Sequence, residues 1–88
     1  MNLTTPLIDR LPRDLLMSPS HAPAYHRLAE YFALLITKGA VRAEERLPSE
    51  NRLAQHFHVS RPTVRHALAR LAAAKLVRRE QGRGTYIN

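Results

Sequence analysis

Two helix-start signals in close succession constrain this chain more than any other feature. Ser49 stands where an N-cap belongs, with Glu50 in the first turn against the positive end of the helix dipole. Ser60 repeats the signal, and Pro62 follows in the first turn of the next helix, where its missing N–H costs nothing. Between the two signals Leu53, Ala54 and Phe57 give a short apolar face, so a helix runs roughly over 50–56 and His58-Val59 make a tight turn. The helix that follows turns Val64, Ala67, Leu68 and Leu71 inward, and the alanines at 72–74 carry it to about Lys75. Two short helices joined by so tight a turn read as a helix-turn-helix.

The flanks complete the layout. Tyr25, Leu28, Ala29, Phe32, Leu35 and Ile36 lie on one helical face after Pro23, with Lys38 favouring the negative end and Gly39 supplying a left-handed stop. Residues 40–48 read as a charged connector. Beyond the third helix, Leu76-Val77-Arg78-Arg79-Glu80 and Thr85-Tyr86-Ile87 are short extended runs around Gln81-Gly82-Arg83-Gly84, a four-residue hairpin tip bracketed by glycines. Residues 1–20, with Pro6, Pro12 and Pro19, read as a flexible N-terminal arm ahead of a domain over 21–88. The expected fold is mainly α with a small β-hairpin: a three-helix core plus a basic hairpin.

Size and composition exclude much else. With 88 residues the chain holds one small domain, enough for a modest core and too little for an enclosed substrate cavity. There is no Cys, hence no disulfide frame, thiolate nucleophile or zinc–thiolate site. No apolar run approaches the roughly 18 residues of a membrane span, and the N-terminus lacks a secretory signal, so a cytoplasmic location is the expectation.

The charge is unevenly placed. Residues 1–50 balance Arg10, Arg13, Arg27, Lys38, Arg42 and Arg46 against Asp9, Asp14, Glu30, Glu44, Glu45 and Glu50. Residues 51–88 set Arg52, Arg61, Arg65, Arg70, Lys75, Arg78, Arg79 and Arg83 against Glu80 alone, so the whole net charge of +7 belongs there. A field of that shape attracts a polyanion, and the planar fork of Arg suits phosphate and guanine edges.

A helix-turn-helix reads DNA asymmetrically: one helix crosses the backbone, and the next presents its N-terminal turn to the major groove. With Val64, Leu68 and Leu71 turned inward, Pro62, Arg65 and His66 face outward, flanked by Arg61 and Thr63. Arg61 and Arg65 stand one helical turn apart, so both forks reach neighbouring base pairs, where guanine O6 and N7 are the usual partners. Ser49 and Ser60 suit phosphate oxygens, but an N-cap role explains either one without DNA. Arg83 between its glycines suits a narrow minor groove, with Arg78 and Arg79 on flanking phosphates; the open alternative is a hairpin that merely covers the core.

Leu47-Pro48-Ser49-Glu50, Leu53-Ala54, Val59-Ser60-Arg61-Pro62-Thr63-Val64-Arg65, Ala67-Leu68, Leu71, Leu76-Val77 and Gln81-Gly82-Arg83-Gly84-Thr85-Tyr86-Ile87 together closely resemble the N-terminal DNA-binding domain of GntR-type bacterial transcription regulators. The Arg-Pro-Thr-Val-Arg wording is most similar to the HutC branch. The resemblance covers roughly residues 23–88 and implies a winged helix-turn-helix. It further implies a homodimer on palindromic half-sites of a double-stranded operator, and a small-molecule effector bound by a dimerising domain expected after residue 88. By position it implies DNA contacts from Arg61, Thr63 and Arg65 on a recognition helix over about 61–74, a phosphate contact from Ser60, and a wing tip at Gln81 and Gly82 within 81–84. Asn51 stands where many relatives carry an Arg that contacts DNA; an amide there suits phosphate or adenine instead. His58 replaces a turn Gly, Lys75 a helix-ending Gly, and Ala43-Glu44 a Pro-Gly, which predicts strain at the turn, fraying or a shifted cap at the helix end, and a less regular connector.

Other readings carry less. His21, His26, His56, His58 and His66 give no two histidines one turn apart on a helix, so no metal is expected and the histidines read as solvated or DNA-facing. Without a cavity no Ser–His–acid arrangement is defensible, so the chain reads as no enzyme, with no cofactor and no membrane partner. The alternative is a winged-helix module that docks protein or RNA.

Overall fold

The computed structural model describes residues 6–88, in the order α1 (Leu7–Arg10), α2 (Ala24–Thr37), α3 (Glu50–Phe57), α4 (Arg61–Ala73), β1 (Val77–Glu80) and β2 (Gly84–Ile87). The local signals act as expected in the helix-turn-helix. Ser49 Oγ accepts from the Arg52 amide and Ser60 Oγ from the Thr63 amide, each at 3.2 Å, satisfying donors that the first turn leaves free. The α3 helix stops on His58, which takes the left-handed conformation (φ 58°, ψ 46°) while the Val59 amide reaches back to the Ala54 carbonyl. At the end of α2, Gly39 (φ 73°) does the same work, with the Ala40 amide on the Leu35 carbonyl at 2.9 Å.

The end of α4 does not fray. Lys75 adopts φ 62°, and the Leu76 amide closes onto the Leu71 carbonyl at 3.0 Å, the wrap that a glycine would make without strain. Asn88 Nδ2 secures it by donating to the Lys75 carbonyl at 2.8 Å.

The core forms where the helices meet. Val64, Ala67, Leu68 and Leu71 of α4 are buried with Leu28, Ala29 and Phe32 of α2 and Leu53, Ala54 and Phe57 of α3. Phe32 and Phe57 meet edge to face, ring centroids 6.4 Å apart. Val77 and Ile87, directly opposite in the antiparallel hairpin, point into the same core and fix its root.

Three features depart from the sequence reading. First, Gly84 pairs with Glu80 inside the hairpin, so the tip is Gln81-Gly82-Arg83, closed by the Arg83 amide on the Glu80 carbonyl. Second, the connector adds a third extended segment to the hairpin. Arg46 bridges Tyr86, the Leu47 amide donates to Thr85 (2.8 Å), and Ile87 donates to Glu45 (2.9 Å). Glu44 makes the turn ahead of it with φ 71°, a left-handed conformation that glycine adopts without strain.

Third, the N-terminal segment contributes Leu7, Ile8 and Leu11 to the core, while residues 17–20 lie exposed and residues 1–5 of the expected arm fall outside the described residues. Leu7, Ile8 and Leu11 are buried in the same apolar cluster as the helices, which takes their side chains out of water. His56 Nε2 bonds the Leu11 carbonyl at 2.8 Å, and only 6% of the residue is exposed, so it is neither solvated nor turned toward a ligand. Arg10 donates to the Ala40 carbonyl and pairs with Glu45 at 2.7 Å; Arg27 donates to the Leu15 carbonyl at 3.0 Å. The segment is a strap across α3 and the connector.

Candidate nucleic-acid interface

The first turn of α3, the start of α4 and the hairpin tip enclose an open groove of about 620 Å³. Among the expected site residues it brings together Ser49, Asn51, Arg61, Arg79, Gln81, Gly82 and Arg83, with Arg46, Glu50, Glu80 and Thr85 among the other residues of its wall. Arg83 is 76% exposed at the tip, loosely opposed by Glu80 at 3.9 Å.

Two neighbouring residues of α3 hold the arginines. Glu50 Oε1 accepts from Arg65 Nη2 and Nε (3.2 and 3.3 Å), while Glu50 Oε2 accepts from Arg79 Nη2 at 2.7 Å. One carboxylate thus spans α4 and β1. Asn51 Oδ1 accepts from Arg61 Nη1 at 3.3 Å. A guanidinium carries five N–H donors, so each of these arginines keeps donors free for an external acceptor. The ion pairs are partly exposed and worth about 0–1 kcal/mol each, so they orient the side chains more than they stabilise the fold.

The other expected residues sit around this groove. Ser60 and Thr63 are bonded to each other, Oγ to Oγ1 at 2.9 Å, in addition to the cap. Pro62 is exposed on the outer face of α4. His66 is exposed but stacked face to face on Tyr25 of α2, ring centroids 3.7 Å apart and 8° from parallel, with the Arg70 guanidinium 5.7 Å from the same Tyr ring. His66 therefore lies on the α2 side of the recognition face, outside the groove wall.

Arg78 departs from its expected phosphate role. Strand alternation turns it away from its neighbour Arg79, onto the Tyr86 ring at 5.2 Å and between Glu44 and Glu80. Its hydrogen bonds, to Glu44 first and then Glu80, push its pKa above the ordinary Arg value. Sequence reasoning gave Glu50 only a dipole role and did not single out Arg46. No local signal reports Glu50's bridge, because its partners come from two later elements.

Among the described residues no three His, Cys, Asp or Glu side chains gather to hold a metal, and no helix is long and apolar enough to cross a membrane.

Residues 24–87 match the family described as bacterial regulatory proteins, gntR family. The chain is 37% identical over 67 residues to the mannosyl-D-glycerate transport/metabolism system repressor MngR of Escherichia coli (strain K12). It is 38% identical over 69 residues to the HTH-type transcriptional repressor NagR of Bacillus subtilis (strain 168). These matches cover 76% and 78% of this chain but only 28% of either relative. A crystal structure of AraR(DBD) in complex with an operator is similar at a TM-score of 0.73 and 34% identity, over 81% of this chain and 87% of that one. A GntR family transcriptional regulator from Listeria monocytogenes gives a TM-score of 0.74 at 25% identity, over 81% of this chain and 62% of that one. The fold is a winged helix-turn-helix with the hairpin as its wing.

Proposed function

Because this chain belongs to the gntR family of bacterial regulatory proteins, a family of transcription regulators and not of enzymes, we propose that it is the sequence-specific DNA-binding part of a cytoplasmic repressor. The leading turn of α4 enters the major groove, where Arg61 and Arg65 read guanine edges and Thr63 and Pro62 contact the neighbouring surface. The wing tip, Gln81-Gly82-Arg83, lies along the minor groove, and Ser49, Asn51, Ser60 and Arg79 take phosphates. His66 borders that footprint on the α2 side.

The observation that carries this reading is the seating of Arg61 and Arg65 on Asn51 and Glu50. Side chains fixed before binding lose less rotamer freedom on meeting a base pair. The matched repressors extend well beyond the matched stretch. That length supports a dimerising, effector-binding domain in the full-length protein, which sets two of these units on palindromic half-sites.

Binding of mixed-sequence duplex DNA and of RNA, each followed across salt concentrations, tests the proposal. A DNA reader loses duplex affinity steeply as salt rises and still prefers some sequences. A domain that docks protein shows neither behaviour, and one that docks RNA prefers the RNA.

A further inference from the structure

We propose a second nucleic-acid contact on this domain: a seat for backbone phosphate formed by Arg46 and Arg52 in a groove to which α4 contributes nothing. It rests on the DNA-binding reading above and extends the footprint toward the N-terminal strap. The groove, of about 450 Å³, runs between α1, the connector and the first turns of α3. Both arginines line it and both are exposed.

Neither guanidinium has an ion pair or hydrogen bond among the described residues, although the surrounding chain is rich in carboxylates. Those carboxylates are engaged elsewhere. Glu44 holds Arg78, Glu50 holds Arg65 and Arg79, and Glu45, which lines this groove, is bound by Arg10 and by the Arg42 amide. The fold therefore leaves two cations lining one groove with no carboxylate paired to either among the described residues, open to an external anion.

The position of Arg46 is also built. Its backbone bridges Tyr86, and its guanidinium lies across Gly84, where an added Cβ would stand 2.7 Å from Nε. The bare glycine lets the Arg head rest against the wing root. There it lines both this groove and the recognition groove, which also share Leu47, Pro48 and Ser49. A strand of duplex lying in the first groove passes into the second at Arg46. Continuity with the proposed interface, and the match of an Arg fork to a phosphodiester, select DNA backbone as the ligand.

The test uses the full chain and a fluorescein-labelled mixed-sequence duplex of 25 base pairs, with affinity followed by anisotropy across salt. R46Q and R52Q each lower the magnitude of the salt slope by about one, and the double variant by about two, since each lost contact releases one fewer counterion. The ranking of different duplex sequences stays as in the parent. R46K/R52K, which keeps the charge, restores the slope, separating a charge contact from a packing one. A double R46Q/R52Q variant with the parent slope, while R79Q lowers it, overturns the seat and leaves the DNA-binding reading standing. A parent chain with no salt-dependent duplex binding overturns both.

Discussion

Leu11→Ala measures whether the N-terminal strap is part of the folded unit. Leu11 is only 4% exposed and packs into the core with Leu7 and Ile8, so truncation removes buried methyl groups and leaves a cavity at the flank of α3. Leu→Ala changes in cores cost about 2–5 kcal/mol, and about 3 kcal/mol suits a site near the edge of the core, where neighbours relax inward. In a domain of this size 1 kcal/mol shifts the melting temperature by roughly 4–8 °C, so the variant should melt roughly 12–24 °C below the parent. Met17→Ala is the control: Met17 is 62% exposed, and its truncation should stay within about 0.5 kcal/mol of the parent. Thermal unfolding followed by circular dichroism reads both. If Leu11→Ala melts alongside Met17→Ala, the segment is an arm after all, and the anchoring role of His56 goes with it.

Four further outcomes are expected. Arg65→Ala should lower operator affinity by about 1–3 kcal/mol and relax base preference at one position of each half-site, checked by competition with single-base operator variants. Arg79→Ala should weaken all duplexes alike and shallow the salt slope by about one, read from affinity against salt. Glu50→Gln removes the charge that spans Arg65 and Arg79; non-specific duplexes should bind more tightly while the ratio of specific to non-specific affinity falls, with stability changed by less than about 1 kcal/mol. Lys75→Gly relieves left-handed strain of about 1–2 kcal/mol at an entropic cost of about 0.4–1 kcal/mol, so a melt should show a net gain of a few degrees.

What could be read in advance was local. The caps at Ser49 and Ser60, the proline at 62, the glycine at 39 and the left-handed turn at His58 act within a few residues of themselves, and each stands where the chain places it. The features that escaped join distant segments. The connector strand exists only because residues 44–47 meet residues 85–87, and no apolar alternation marks it. The strap depends on bonds to Ala40, Glu45 and His56 that no window around Leu7 reveals. Charge counting was right in total and incomplete in space: Glu44 and Glu50, assigned to the neutral half, fold onto Arg78, Arg65 and Arg79 of the basic half. The net field survives, but it is partly neutralised at Arg65, Arg78 and Arg79 and so is less even than the sequence displays.

The two oxygens of Glu50 couple the proposed readers. A shift of the wing that follows Arg79 drags the carboxylate, and with it the fork of Arg65. Groove width beneath the wing is then felt at the bases beneath the helix, and the two sets of operator positions cease to be independent. A binding matrix that scores each base separately should misrank operators altered in both regions, and its errors should vanish when Glu50 is neutralised.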